Sequence, residues 1–95
     1  MVQLQKISKG NTNVYNDLPN SLRVTLYNTD IVSVYKHEIV LYTGGYFTST
    51  TKNRMNQTSN QFNLGFKVYQ KDLAWYVDYK GETIPFKNRT AVLIR

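Results

Sequence analysis

Cysteine is absent from this chain, and with it every disulfide framework and every thiolate metal site. A reducing, cytosolic setting fits that absence. Histidine occurs once, at His37, which is the only side chain whose unperturbed pKa lies near neutrality. No Walker-type glycine loop and no cluster with metal-ligand spacing is present, so no cofactor and no metal are expected. The sequence also lacks a long apolar run, and its opening MVQLQKISKG has no apolar core of the signal-peptide kind. Those features predict a cytoplasmic protein that does not enter a membrane. One further absence is local. Between Ile39 and Lys71 there is no Asp or Glu, while Lys52, Arg54, Lys67 and Lys71 all fall in that window.

What is present bounds the rest. Ninety-five residues suffice for one domain with a single core. Hydrophobic content of 41% and aromatic content of 14% place the chain among folded proteins. A net charge of +6 favours acidic partners, whether nucleic acid, an anionic surface or an acidic protein.

Residues 1 to about 20 read as connecting material: Val2 and Leu4 alternate briefly, Lys9 to Asn13 is turn chemistry, and Asp17 to Ser21 is a second loop. From Leu22 the period is two, with Leu22, Val24 and Leu26 on one side and Arg23, Thr25 and Tyr27 on the other. Asn28 to Asp30 predicts a turn. Ile31 to Tyr35 and Glu38 to Thr43 predict two more strands around Lys36-His37, ending at Gly44-Gly45. After a helix over 50–62, Phe66 to Lys71 alternates again, and a turn at Lys71-Asp72 leads to Ala74 to Tyr79. Lys80-Gly81 turns the chain into Thr83 to Phe86, where Pro85 implies an edge strand, and Ala91 to Ile94 predicts a last short one. Three strands, one helix and three or four strands predict an α+β fold: a mostly antiparallel sheet with one helix packed on it.

The helix is the most unusual segment. Ser49 or Thr50 is the expected N-cap, and Leu64-Gly65 the stop. Thr51, Met55, Thr58 and Phe62 share one face of the wheel. Asn53, Asn56, Gln57 and Asn60 are expected on the opposite, solvent face, with Lys52 and Arg54 on its flanks. The buried stripe is thin, and Asn and Thr are mediocre helix formers, so packing must hold this helix.

Those residue types suit nucleic acid. Lys52, Arg54, Lys67 and Lys71 can neutralise phosphates, and Asn53, Asn56, Gln57 and Asn60 can donate and accept at base edges or sugars. Tyr69 stands between Lys67 and Lys71 on one strand face, a pairing of ring and cation that single-stranded nucleic acid uses. Strand tyrosines are also ordinary occupants of a half-buried pleat. Asp78 and Glu82 flank the Lys80-Gly81 turn, where charged residues keep a turn hydrated, and His37 lies in a hairpin turn; no catalytic role is expected of them.

The run TTKNRMNQTSNQF, with LGFKVYQKD and AWYVDYKGETIPF after it, resembles a family of small, functionally uncharacterised bacteriophage proteins. They share a Gly-Gly-aromatic turn, a TTKxRMNQ-like helix start, an NQFxLG helix end and a WxV strand. The resemblance covers about residues 30 to 86. It implies a phage origin and an intracellular setting, and it names no catalytic or binding residue. Glycines near positions 36 and 37 in that family are Lys36 and His37 here, a departure confined to the hairpin turn. The expectation is a non-enzymatic phage protein that binds DNA or RNA through its basic, amide-rich helix face. The competing expectation is a small inhibitor that uses the same face against an acidic host protein. Self-association through the Pro85 edge strand is a further expectation.

Overall fold

The computed structural model describes residues 12–18, 20–45 and 47–95. Among them the order is β1 (Thr12–Asp17), β2 (Ser21–Leu26), β3 (Thr29–Val34), β4 (Glu38–Tyr42), α1 (Ser49–Phe62), β5 (Phe66–Lys71), β6 (Ala74–Tyr79), β7 (Glu82–Pro85) and β8 (Thr90–Ile94). The α+β expectation holds, with two antiparallel sheets in place of one. The first has strand order β1-β2-β3-β4-β8 and the second β5-β6-β7.

Alternation explains most of this. Leu22, Val24 and Leu26 of β2, Ile39 and Leu41 of β4, and Ala91 and Leu93 of β8 all point into the core. Phe66 and Val68 of β5, with Trp75, Val77 and Tyr79 of β6, enter the same core from the second sheet. Strand β3 departs from strict alternation. Its register against β2 shifts between Val24 and Thr25, leaving Ile31 as the extra residue, and the bulge lets adjacent Ile31 and Val32 both be buried.

Strand β1 was not expected. It pairs with β2 over its whole length, from Thr12↔Leu26 to Asp17↔Ser21. Its asparagines and aspartate are poor strand formers, and pairing overrides that weak propensity. The Val2 and Leu4 alternation lies outside the described residues. The hairpin turns also sit differently. The β2–β3 turn is Tyr27-Asn28 and the β5–β6 turn is Asp72-Leu73, with both residues of each at positive φ. Lys80-Gly81 and Asn88-Arg89 show the same pattern. Positive φ at both central residues matches the right-handed strand twist and is the rule in two-residue hairpins.

The N-cap of helix α1 lies one residue before the nearer expected position, Ser49. Thr48, with extended backbone, is the N-cap, and its hydroxyl accepts from the Thr51 amide at 3.3 Å. Asn63 at φ 54° is the left-handed C-cap, and the Leu64 amide donates to the Ser59 carbonyl at 2.9 Å. Thr51, Met55, Thr58 and Ser59 are the buried residues, while Phe62 is only half-buried against the core.

What docks the helix is polar. The Ser59 hydroxyl donates to the Phe66 carbonyl at 2.7 Å and accepts from the Phe66 amide at 2.9 Å. The Asn56 side chain repeats this one step along the strand: its amide donates to the Val68 carbonyl at 2.9 Å, and its oxygen accepts from the Val68 amide at 2.7 Å. The two side chains therefore take the place of a neighbouring strand along the outer edge of β5. Substituting Ser59→Ala should cost about 1–3 kcal/mol, because both Phe66 backbone groups lose their partner in a buried place. Chemical denaturation measures this directly, and a variant as stable as the parent would show that water replaces the hydroxyl without loss.

Candidate nucleic-acid interface

The residues expected at the interface separate into two groups. On the helix, Asn56 does not face solvent: its amide is committed to the Val68 backbone, which corrects its place on the wheel. The wheel failed there because it assumed that only apolar side chains turn inward. Asn53 and Asn60 lie three and four positions from Asn56 on the same stripe, and both are exposed. The opposite flank is held internally. Arg54 donates from Nε to the Thr12 hydroxyl at 3.1 Å and from Nη1 to the Gln57 side-chain oxygen at 3.1 Å. The guanidinium thus fastens α1 to β1, and Gln57 orients it. Lys52 is half-buried, with its ammonium 5.9 Å from the centre of the Trp75 ring.

The second group comes together on the outer face of the smaller sheet. Phe66 and Val68 aim both backbone groups at the helix, so Lys67, Tyr69 and Lys71 direct theirs to β6. Side-chain alternation then puts Lys67, Tyr69 and Lys71 on the face away from the core. The two-residue turn fixes the register Lys67↔Asp78, Tyr69↔Tyr76 and Lys71↔Ala74. Tyr69 and Tyr76 stack with centroids 5.8 Å apart and planes inclined by 28°. The Tyr69 hydroxyl donates to Asp78 Oδ1 at 3.2 Å, and Thr83 donates to the same oxygen at 2.9 Å. Asp78 therefore fixes the ring of Tyr69. Lys67 and Lys71 are exposed on either side, and an open depression of about 370 Å³ is lined by Tyr69, Lys71, Asp72, Tyr76 and Thr83.

Tyr76, Asp78 and Thr83 are the members that sequence reasoning missed. Their signal was present in the alternation of β6: with Trp75, Val77 and Tyr79 facing inward, Tyr76 and Asp78 must face outward. The turn was placed one residue early, and that concealed the pairing of Tyr69 with Tyr76. The remaining titratable groups are dispersed. His37 is exposed in the β3–β4 turn, and Asp30 lies 3.8 Å from Arg23. Among the described residues, no group of three or more His, Asp or Glu side chains is placed to hold a metal ion. Among them, too, no helix is long and apolar enough to cross a membrane.

A helix-buttressed pair of antiparallel sheets, with an aromatic and lysine face on the smaller one, defines an α+β domain. The family model for the Kyanoviridae Gp96 protein matches residues 1–93. The chain belongs to that bacteriophage protein family. No curated protein and no solved structure matches it.

The amide stripe gives a test of this division. Asn56→Ala should lower stability by about 1–3 kcal/mol through the two bonds it removes from Val68. Asn53→Ala and Asn60→Ala, at exposed positions, should stay within about 0.5 kcal/mol of the parent. Equal stability of all three variants in denaturant titration would contradict the assignment of Asn56.

Proposed function

We propose that this phage protein is a non-enzymatic binder of single-stranded nucleic acid in the host cytoplasm, and that the outer face of β5-β6-β7 is its contact surface. The observation that carries the reading is the stacked Tyr69–Tyr76 pair between two exposed lysines. Bases stack on such rings with about 1–3 kcal/mol each, and the stacking tolerates any sequence because every base has a π-face. Lys67 and Lys71 lie where a backbone running along β5 would bring its phosphates. Asp78 opposes phosphate by its charge, but the hydroxyls of Tyr69 and Thr83 engage its Oδ1, and its role is to hold the platform in place. Exposed Asn53 and Asn60 on the neighbouring helix flank are the amides placed to reach sugars or base edges. Lys52 supports the surface, whereas Arg54, Asn56 and Gln57 serve the fold.

The chain's net charge of +6 supports the same reading through long-range attraction. Fluorescence anisotropy with labelled single-stranded oligonucleotides of DNA and RNA, at two salt concentrations, tests it. Tyr69→Ala or Tyr76→Ala should each weaken binding by about 1–3 kcal/mol. Lys67→Ala and Lys71→Ala should each flatten the log–log salt dependence by about 0.7. If no oligonucleotide binds at low salt, the proposal falls. The acidic host protein then becomes the partner to seek, by capture from infected cells with and without nuclease.

A further inference from the structure

The tip of the β5–β6 hairpin contradicts the usual chemistry of its turn. Leu73 occupies the second central position at φ 68°, and it is 91% exposed. That position favours Gly or Asn, because a side chain branching from Cβ onward meets the backbone in the left-handed region. The equivalent positions in the other three two-residue turns hold Asn28, Gly81 and Arg89, none of them apolar. Leu73 thus carries two costs at once, a strained backbone and an apolar side chain in water. A persistent strain of this kind points to use elsewhere.

Directly beside this knob is a hole. An open groove of about 320 Å³ is lined by Leu73 itself together with Phe47, Trp75, Pro85 and Phe86. Its floor is Trp75, met edge-on by Phe47 at 5.3 Å and by Phe86 at 5.8 Å. Phe47 stays 48% exposed on the rim. Charge around the groove is mixed in a specific way. Lys52 sits over the Trp75 ring, while Asp72 shares the tip with Leu73. One patch therefore presents a knob and a hole, with an anion beside the knob and a cation at the hole.

We infer that this patch pairs with a second copy of the chain, Leu73 of each protomer entering the Trp75 groove of the other. A two-fold contact uses the same patch on both partners, so it requires self-complementarity in shape and charge, and knob, hole, Asp72 and Lys52 meet that requirement together. The groove shares Tyr76 with the tyrosine platform, but Leu73, Trp75 and Phe86 belong to the groove alone, and the contact does not rest on the nucleic-acid reading. It also differs from strand-edge pairing, since Pro85 contributes its ring to the groove and no backbone donor.

Sedimentation velocity of the full chain over a concentration series, without nucleic acid, is the test. The parent should show a monomer–dimer equilibrium that depends on concentration. Leu73→Asn, which tolerates the left-handed backbone but removes the apolar knob, should raise the dimer dissociation constant by about thirtyfold or more, the size expected of a central anchor. The same variant at dilution, where both are monomeric, should melt no lower than the parent, because the substitution relieves strain. Leu73→Met keeps an apolar knob and should dimerise within a few-fold of the parent. A parent that is monomeric up to its solubility limit would overturn the inference. So would a Leu73→Asn variant that associates as tightly as the parent.

Discussion

Two side chains, Asn56 and Ser59, hold the helix to the edge of the smaller sheet. Strand β5 is the edge of a three-stranded sheet, and an edge leaves a row of backbone donors and acceptors without partners. Helices ordinarily cover such an edge with apolar bulk, leaving the backbone groups to water. Here the helix bonds them, and each of the two side chains both donates and accepts, as a strand would. The helix has few apolar residues to bury besides Met55, so these four bonds and the core contact of Met55 stand in for the hydrophobic stripe that α1 lacks. Arg54 adds a third tether on the opposite flank, to Thr12 of β1. The helix is thereby attached to both sheets at once.

The candidate interface depends on that attachment. Because Phe66 and Val68 bond outward to the helix, the register of β5 is fixed, and with it the face on which Lys67, Tyr69 and Lys71 emerge. A shift of one residue would turn the tyrosine and both lysines into the core. The β6 strand completes the platform with Tyr76, and Asp78 with Thr83 fixes the ring orientation. Rings held in place beforehand would lower the cost of the base stacking proposed for this face.

Much of the fold was legible in the sequence, and the reasons for the failures are physical. Alternation located β2, β4, β5, β6 and β8, because each buries one face. The rule has no purchase on β1, whose inward positions are Thr12, half-buried Val14 and Asn16, so composition said loop while pairing made a strand. Turn chemistry located Lys80-Gly81, where glycine advertises positive φ, and misplaced Asp72-Leu73, where leucine does not. At the site, Lys67, Tyr69 and Lys71 could be read as a group since they share one strand face. Asn56 could not be told from Asn53 and Asn60: all three are amides on one stripe, and only the position of β5 separates the one that bonds backbone from the two that face water.

Amide hydrogen exchange at β5 addresses the clamp most directly. If Asn56 and Ser59 act as a substitute strand, the amides of Val68 and Phe66 should exchange as slowly as those of Lys67 and Tyr69, which face β6. The internal comparison is β8, the edge of the larger sheet, where the bonds of Ala91, Leu93 and Arg95 toward β4 leave the amides of Val92 and Ile94 pointing away from the sheet. Those two should exchange fast. Slow exchange at Phe66 and Val68 beside fast exchange at Val92 and Ile94 is the predicted pattern; exchange at Phe66 and Val68 as fast as at Val92 and Ile94 would contradict the account.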